Sequence, residues 1–258
     1  DRFPPSLATM TSMLTQMRSV ARSRHTWTGS RLLVCLSLLA GCTAQRAELP
    51  PTSPTAVEER PGPQVPVGAA VYDIDTERSS ISLRVYRAGP LARLGHNHVV
   101  TSTAETGYAW TTGELSASGF EVRVPVAGLV VDEPVARAAA GPDFAGEVPD
   151  DAREGTRRNM LRPEVLDVER YPEIVVAAES LAGSWEHPVV TARVTLRNQT
   201  RRVDVPLGIV READALAVQG SFRILQSDFG ITPFSVGGGA IQVADGVDVE
   251  FTIVATRR

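Results

Sequence analysis

The sequence predicts an all-β domain, an antiparallel β-barrel that is closed or nearly closed and carries one short helical crossover. Three observations support this. From Ala70 onward apolar and polar residues alternate with period two. Short turn-forming stretches separate the alternating runs, and one polar segment, Asp150–Leu161, interrupts them. Period two puts successive side chains on opposite faces of a strand, so each run has an apolar face and a wet face, as in antiparallel sheet.

The runs follow in order. Ile81, Leu83 and Val85 alternate with Ser82, Arg84 and Tyr86. Phe120, Val122, Val124 and Val126 alternate with Glu121, Arg123 and Pro125. Ile174–Ala178 is apolar throughout, which fits a strand covered on both faces. Ala192, Val194 and Leu196 form one face of the next run, and Val203, Val205, Leu207 and Ile209 one face of another. Leu216, Val218, Phe222 and Ile224 share a face, as do Val247, Val249, Phe251 and Ile253. Ala182-Gly183-Ser184, Asn198-Gln199-Thr200 and Ala244-Asp245-Gly246 are each expected to turn the chain between two strands, making hairpins. Asp150–Leu161 is polar and helix-compatible, and Pro163 and Pro172 bracket Glu164–Tyr171. This middle region reads as a short helix or two on a long crossover. Amphipathic strands of this number with one crossover close into a barrel.

Composition limits the function classes. The chain has 258 residues, 43% hydrophobic and 22% charged, as an ordinary globular protein does. At 5% aromatic residues, the core must rest on Val, Leu, Ile and Ala. A net charge of −4 gives no basic footprint for nucleic acid. All 26 basic residues are arginine, a bias that fits a GC-rich coding sequence better than a function. Cys35 and Cys42 are the only cysteines, so everything after them lacks disulfides and thiolate ligands.

The N-terminal region reads as an export signal. Arg18, Arg22, Arg24 and Arg31 precede the apolar run Leu32–Leu39, which has the roughly 7–15-residue length of a signal core rather than the ~20 of a membrane span. The run ends in Leu39-Ala40-Gly41-Cys42, which resembles the bacterial lipobox, whose cysteine receives lipid. The alternative is an ordinary signal peptide with an incidental cysteine. Met10, Met13 and Met17 lie just before the arginines, and a start at one of them gives a signal of conventional length. Thr43–Gly68 is proline-rich and reads as a semi-rigid spacer rather than packed structure. The expected organisation is therefore a signal peptide over 1–41, a lipidated N-terminus and tether over 42–69, and a barrel over 70–258.

Several segments point to a family. Tyr72-Asp73-Ile74-Asp75 with Ser79-Ser80-Ile81-Ser82-Leu83 resembles the opening of the YceI-like lipid-binding proteins. Asn159-Met160-Leu161, Leu166-Asp167-Val168 and Tyr171-Pro172-Glu173-Ile174 are similar to its central segment. Val194-Thr195-Leu196 with Thr200-Arg201-Arg202-Val203 resembles its hairpin, and Phe222 with Ser227-Asp228-Phe229-Gly230-Ile231 its late block. Each motif is loose, but their order and spacing are specific and cover about Ala70–Thr256. The resemblance implies a lipocalin-like barrel with an elongated cavity for a polyisoprenoid or similar amphiphile. Ile81, Leu83, Val85, Phe120, Val122, Val124, Leu216, Val218, Phe222 and Phe251 are then expected to face that cavity. Two departures stand out. Asn198-Gln199 replaces a glycine-containing turn, and Pro134–Pro149 looks longer than usual and is expected to be a mobile loop.

Leu94-Gly95-His96-Asn97-His98 is the sharpest local feature. If His98 begins a strand, His96 and His98 share a face. Such a pair can line the cavity mouth, contact a polar head group, or chelate a metal. A stable metal site needs three or four ligands. The candidates to complete one are His187, before Pro188 in an expected turn, and Asp228, whose spacing does not demand it. His96 and His98 are expected to serve the cavity, with no metal and no cofactor. No G-x-S-x-G nucleophile elbow appears, Arg157-Arg158 reads as a solvated helix face, and Gly237-Gly238-Gly239 lacks the strand–turn–helix context of a phosphate loop. A binding protein is expected rather than an enzyme. Its partners would be an isoprenoid or other amphiphilic lipid and, through Cys42, a membrane facing the periplasm, with the outer membrane favoured because no Asp follows the cysteine. The competing readings are a metal-binding or enzymatic barrel using His96 and His98, and a non-catalytic envelope assembly or stress factor. The oligomeric state stays open.

Overall fold

The computed structural model describes residues 62–258, which form a closed antiparallel barrel. Strands β1 (Ala70–Ile74) and β2 (Ser80–Ala88) are two halves of one path, broken by a turn at 75–79. Strands β3 (His98–Ser102) and β4 (Thr106–Thr111) are the halves of the returning path. Because β2 pairs with β3 and β1 with β4, the two paths make one long bent hairpin. Strands β5 (Gly119–Pro125) and β6 (Val130–Val131) continue the ring beside β4 and β3. Strands β7 (Glu173–Gly183), β8 (Pro188–Leu196), β9 (Gln199–Arg211) and β10 (Ala215–Leu225) follow, each antiparallel to the one before. Strand β11 (Ser235–Val236) pairs only with the start of β12 (Ile241–Arg257). Strand β12 pairs with β10 on one side and with β2 and β1 on the other, which closes a ring of eight strand paths. Closure removes the free sheet edges that would otherwise template aggregation.

Because every neighbour is antiparallel, the connections alternate between two ends. Segments 89–97, 132–172, 197–198 and 226–240 share one end, and 112–118, 184–187 and 212–214 share the other. The β8–β9 turn consists of Arg197 (φ 50°) and Asn198 (φ 59°), both left-handed, as a two-residue hairpin of this hand requires. Asn accepts that conformation readily, so the loss of glycine there leaves the hairpin intact.

The crossover holds two helices, α1 (Pro134–Ala139) and α2 (Asp150–Leu161). Helix α2 occupies the polar interruption, with Asp150 and Asp151 in its first turn, where the helix dipole favours negative charge. The Arg157 guanidinium donates to the Ala127 carbonyl at 2.6 Å, clamping α2 to the barrel, while Arg158 stays exposed beside Glu154 at 3.6 Å. Both arginines are exposed, and Arg157 is in addition a structural tie.

Two expectations need correcting. Pro134–Pro149 is a docked segment rather than a mobile loop. Phe144 and Val148 are buried, and the Arg137 guanidinium donates to the Phe144 carbonyl at 2.6 Å. Its Ala and Gly content is that of a linker, but two apolar anchors and one buried cation hold it down. Ala244-Asp245-Gly246 is not a turn, because it lies within β12. There the register against β2 shifts between Val243 and Val247. A bulge uses the same residue types as a turn, and the Asp245 carboxylate accepts from the Ser227 amide and hydroxyl, tying the bulge to the β10–β12 connection.

The largest buried cluster joins the barrel wall to the segments folded over one end, with Val126, Leu129, Leu166, Phe229 and Ile231 meeting Val100, Val122, Val194 and Leu196. A second cluster, around Leu115, Leu181, Val190 and Val205, lies nearer the other end. Ile174–Ala178 is covered as expected: Ile174 and Val176 face inward, and Ala177 and Ala178 are buried.

Candidate functional site: a cavity with a polar mouth

The inward faces of the strands enclose a cavity of about 420 Å³. All ten apolar residues assigned to it from sequence line it: Ile81, Leu83, Val85, Phe120, Val122, Val124, Leu216, Val218, Phe222 and Phe251. Phe222 and Phe251 meet edge to face with ring centres 6.3 Å apart. Gly220 lies between inward positions of β10, where a Cβ would stand 2.7 Å from the Phe251 ring. Glycine there gives the ring its room. Helix α2 contributes Thr156, Asn159 and Met160 to the wall.

Among the described residues that line it, four are exposed, Arg87, His96, Val236 and Gln242. All four belong to the end that carries 89–97 and 226–240, so the cavity opens there. Loop 89–97 and the glycine turn before β12 are joined, since the Leu91 amide donates to the Ala240 carbonyl at 2.8 Å. At Gly89 (φ +92°) a Cβ would lie 2.8 Å from two carbonyls of that turn, so a side chain there would push the two rims apart.

His98 is the first residue of β3, and its ring centre lies 6.4 Å from that of His96. Both histidines line the cavity. His98 Nδ1 is 2.6 Å from Asp132 Oδ2. A carboxylate at that distance holds the hydrogen on Nδ1, which leaves Nε2 for the cavity. Asp132 is fully buried with φ 54°, a left-handed conformation that Asp tolerates. Its other oxygen accepts from the Val99 amide at 2.9 Å and from Arg137 Nη1 at 2.6 Å. Burial alone would push the Asp132 carboxyl up. The hydrogen bonds from His98 and Val99, the charge at His98 and the Arg137 contact outweigh burial and hold it below the usual carboxylate range. Arg137 also donates to the Asn97 and Phe144 carbonyls, so a single buried cation fixes the histidine loop and the crossover together.

Three of these residues were not singled out from sequence. Arg87 continues the inward series of Ile81, Leu83 and Val85 by one more step of two. That periodicity marks Arg87 as inward, although a charged residue at the end of a run reads as solvated surface. Asp132 and Arg137 left no local signal, because Asp132 meets His98 from 34 positions away and Arg137 reaches the Asn97 carbonyl from 40 positions away. Neither residue proposed to complete a metal set joins the pair. His187 lies in the turn at the opposite end, and Asp228 is exposed on the β10–β12 connection. Among the described residues no group of three or more His, Cys, Asp or Glu is placed to hold a metal ion. Cys42, the signal segment and the first part of the tether lie outside the described residues.

A family model for the YceI-like domain matches residues 72–255. The chain belongs to the YceI-like family. Among solved structures it is similar to BcnA of Burkholderia cenocepacia, with 15% identity, a TM-score of 0.54, and 71% of this chain and 99% of that one covered. It is also similar to a polyisoprenoid-binding domain from Saccharophagus degradans, with 13% identity, a TM-score of 0.50, and 73% and 99% covered. No curated protein matches the chain in sequence. At these identities the two structures establish a common YceI-like barrel fold.

Proposed function

We propose that this YceI-like protein binds a polyisoprenoid or similar single-chain amphiphile in its barrel and acts as a carrier or store rather than an enzyme. The observation that supports this most directly is the cavity lining: aliphatic and aromatic side chains run the length of the shaft, and the polar groups gather at the mouth. Burying each methylene contributes about 0.8 kcal/mol, so a fifteen-carbon chain gains ~12 kcal/mol before association costs of roughly 4–15 kcal/mol. Affinity then comes from the chain, and selectivity is left to the mouth. The polyisoprenoid-binding neighbour from Saccharophagus degradans supports the ligand class.

The cellular setting is part of the same proposal. The basic segment, the apolar run and Leu39-Ala40-Gly41-Cys42 support export and lipidation at Cys42, with the domain tethered to the outer membrane on its periplasmic side.

Filling the shaft tests the binding reading. Ala192 lines the cavity from β8 and is almost fully buried. Ala192→Phe should abolish binding of radiolabelled farnesol in equilibrium dialysis while the protein still melts cooperatively. Farnesol bound equally well by the folded variant would contradict a ligand inside the barrel.

A further inference from the structure

The charges on the two sides of the barrel wall are arranged differently. On the outside, arginines and carboxylates are mixed, and several pair: Arg84 meets Glu250 at 2.6 Å, Arg202 meets Glu179 at 2.8 Å, and Arg223 bonds Asp248 through two nitrogens. On the inside, the described residues that line the cavity include one arginine, two histidines and no carboxylate. That arginine is Arg87, and it takes part in none of the ion pairs among the described residues. Arg87 Nη1 donates to the Gly95 carbonyl at 2.7 Å, and its amide donates to Asn97 Oδ1 at 3.0 Å. The side chain is therefore held against the same loop that carries His96, and among the described residues its guanidinium makes no other hydrogen bond. The register places His98 opposite Val85, the inward position before Arg87. One hairpin thus gathers Arg87, His96 and His98 at the mouth of an apolar shaft.

From this arrangement we propose that the amphiphile carries an anionic head group, a phosphate or a carboxylate, bound by Arg87 together with His96 and His98. The proposal rests on the lipid-cavity reading and adds the chemistry of the head group. A guanidinium offers parallel N–H donors that match the paired oxygens of either anion. With Nδ1 directed to Asp132, His98 presents Nε2, which accepts from the hydroxyl of a monoprotonated phosphate or donates when the ring is charged. Asp132 does not repel the anion, because Arg137 offsets its charge behind the histidine. His96, exposed at the rim, gives a second imidazole on the solvent side of the head group. A neutral alcohol or amide accepts a hydrogen bond from Arg87 but leaves its charge uncompensated, so it gains less than an anion does.

The test uses the full chain and matched probes with identical tails: farnesyl phosphate against farnesol, and laurate against dodecanol, each measured by equilibrium dialysis. The wild type should bind at least one anionic member about tenfold or more tightly than its alcohol, the size expected for a charge-assisted pair. Arg87→Gln should erase that preference while leaving alcohol affinity within about threefold, and Arg87→Lys should keep part of it. The two pairs distinguish a phosphate from a carboxylate. Equal binding of anion and alcohol by the wild type, or equal loss of both in Arg87→Gln, would overturn the head-group assignment while intact farnesol binding left the lipid cavity standing. A wild type that bound neither farnesol nor farnesyl phosphate would overturn both.

Discussion

The buried pair behind the histidine gives the sharpest stability prediction. Replacing Arg137 with Met keeps much of the side-chain volume but removes the cation from Asp132, which is fully buried. Arg137 is itself only 9% exposed, and it donates to Asp132 Oδ1 at 2.6 Å and to the Asn97 and Phe144 carbonyls. Removing one member of a buried pair leaves an uncompensated charge and costs about 3–5 kcal/mol. For a domain of this size each kcal/mol lowers Tm by roughly 2–4 °C, so a fall of about 6–20 °C is expected in a melt followed by circular dichroism at pH 7. The Asp132→Asn, Arg137→Met double variant should recover part of the loss, since no charge is then stranded. A single variant melting within about 2 °C of the wild type, or a double variant worse than the sum of both singles, would refute the account of the network.

Further outcomes follow from the same structure. Val122 is inward-facing and 8% exposed, so Val122→Asp should destabilise by several kcal/mol through a buried unpaired charge, and an unchanged Tm would mean that this face is wet. The Asp132 carboxyl is held below its ordinary value in the folded state, so its stabilising contribution is present above the unfolded carboxylate pKa of about 3.9 and is lost as pH falls through the lower folded value. Stability measured by urea unfolding from pH 6 to pH 3 should therefore drop less steeply in Asp132→Asn than in the wild type, and parallel slopes would remove Asp132 from the acid response. Cys42→Ser should move the protein from the membrane to the soluble fraction and abolish acyl labelling, because stable anchoring needs the lipid chains. Membrane retention without acyl label in the wild type would remove the anchor.

The barrel was legible because its strands have a two-sided environment. A strand between an apolar cavity and water must alternate, so Ile81, Leu83 and Val85, or Phe120, Val122 and Val124, declare their inward face without any tertiary information. The family motifs gave the order of the elements. Legibility ended where the chemistry depends on distant partners. Arg87 sits on the inward face that the alternation defines, yet a charged residue at the end of a run looks like solvated surface until the mouth is seen around it. Asp132 and Arg137 lie in a stretch of Ala, Gly and Pro that reads as a loop, and only contact with His98 and Phe144 turns it into a docked, buried network. Ala244-Asp245-Gly246 misled for a related reason. Composition marks a departure from regular strand, but pairing on both sides of β12 makes it a bulge rather than a turn.

The central claim is that the barrel holds an amphiphile, and native mass spectrometry of the protein purified from its producing cells tests it most directly. The Cys42→Ser form is used so that bound lipid is not confused with the anchor, and lipid extraction and metal analysis are run on the same sample. The account predicts one single-chain lipid per barrel, released by organic solvent, with zinc, iron and copper far below one equivalent. An empty barrel that also takes up no added farnesol or farnesyl phosphate would contradict it. So would a stoichiometric metal that disappears when His96 and His98 are both replaced by Ala.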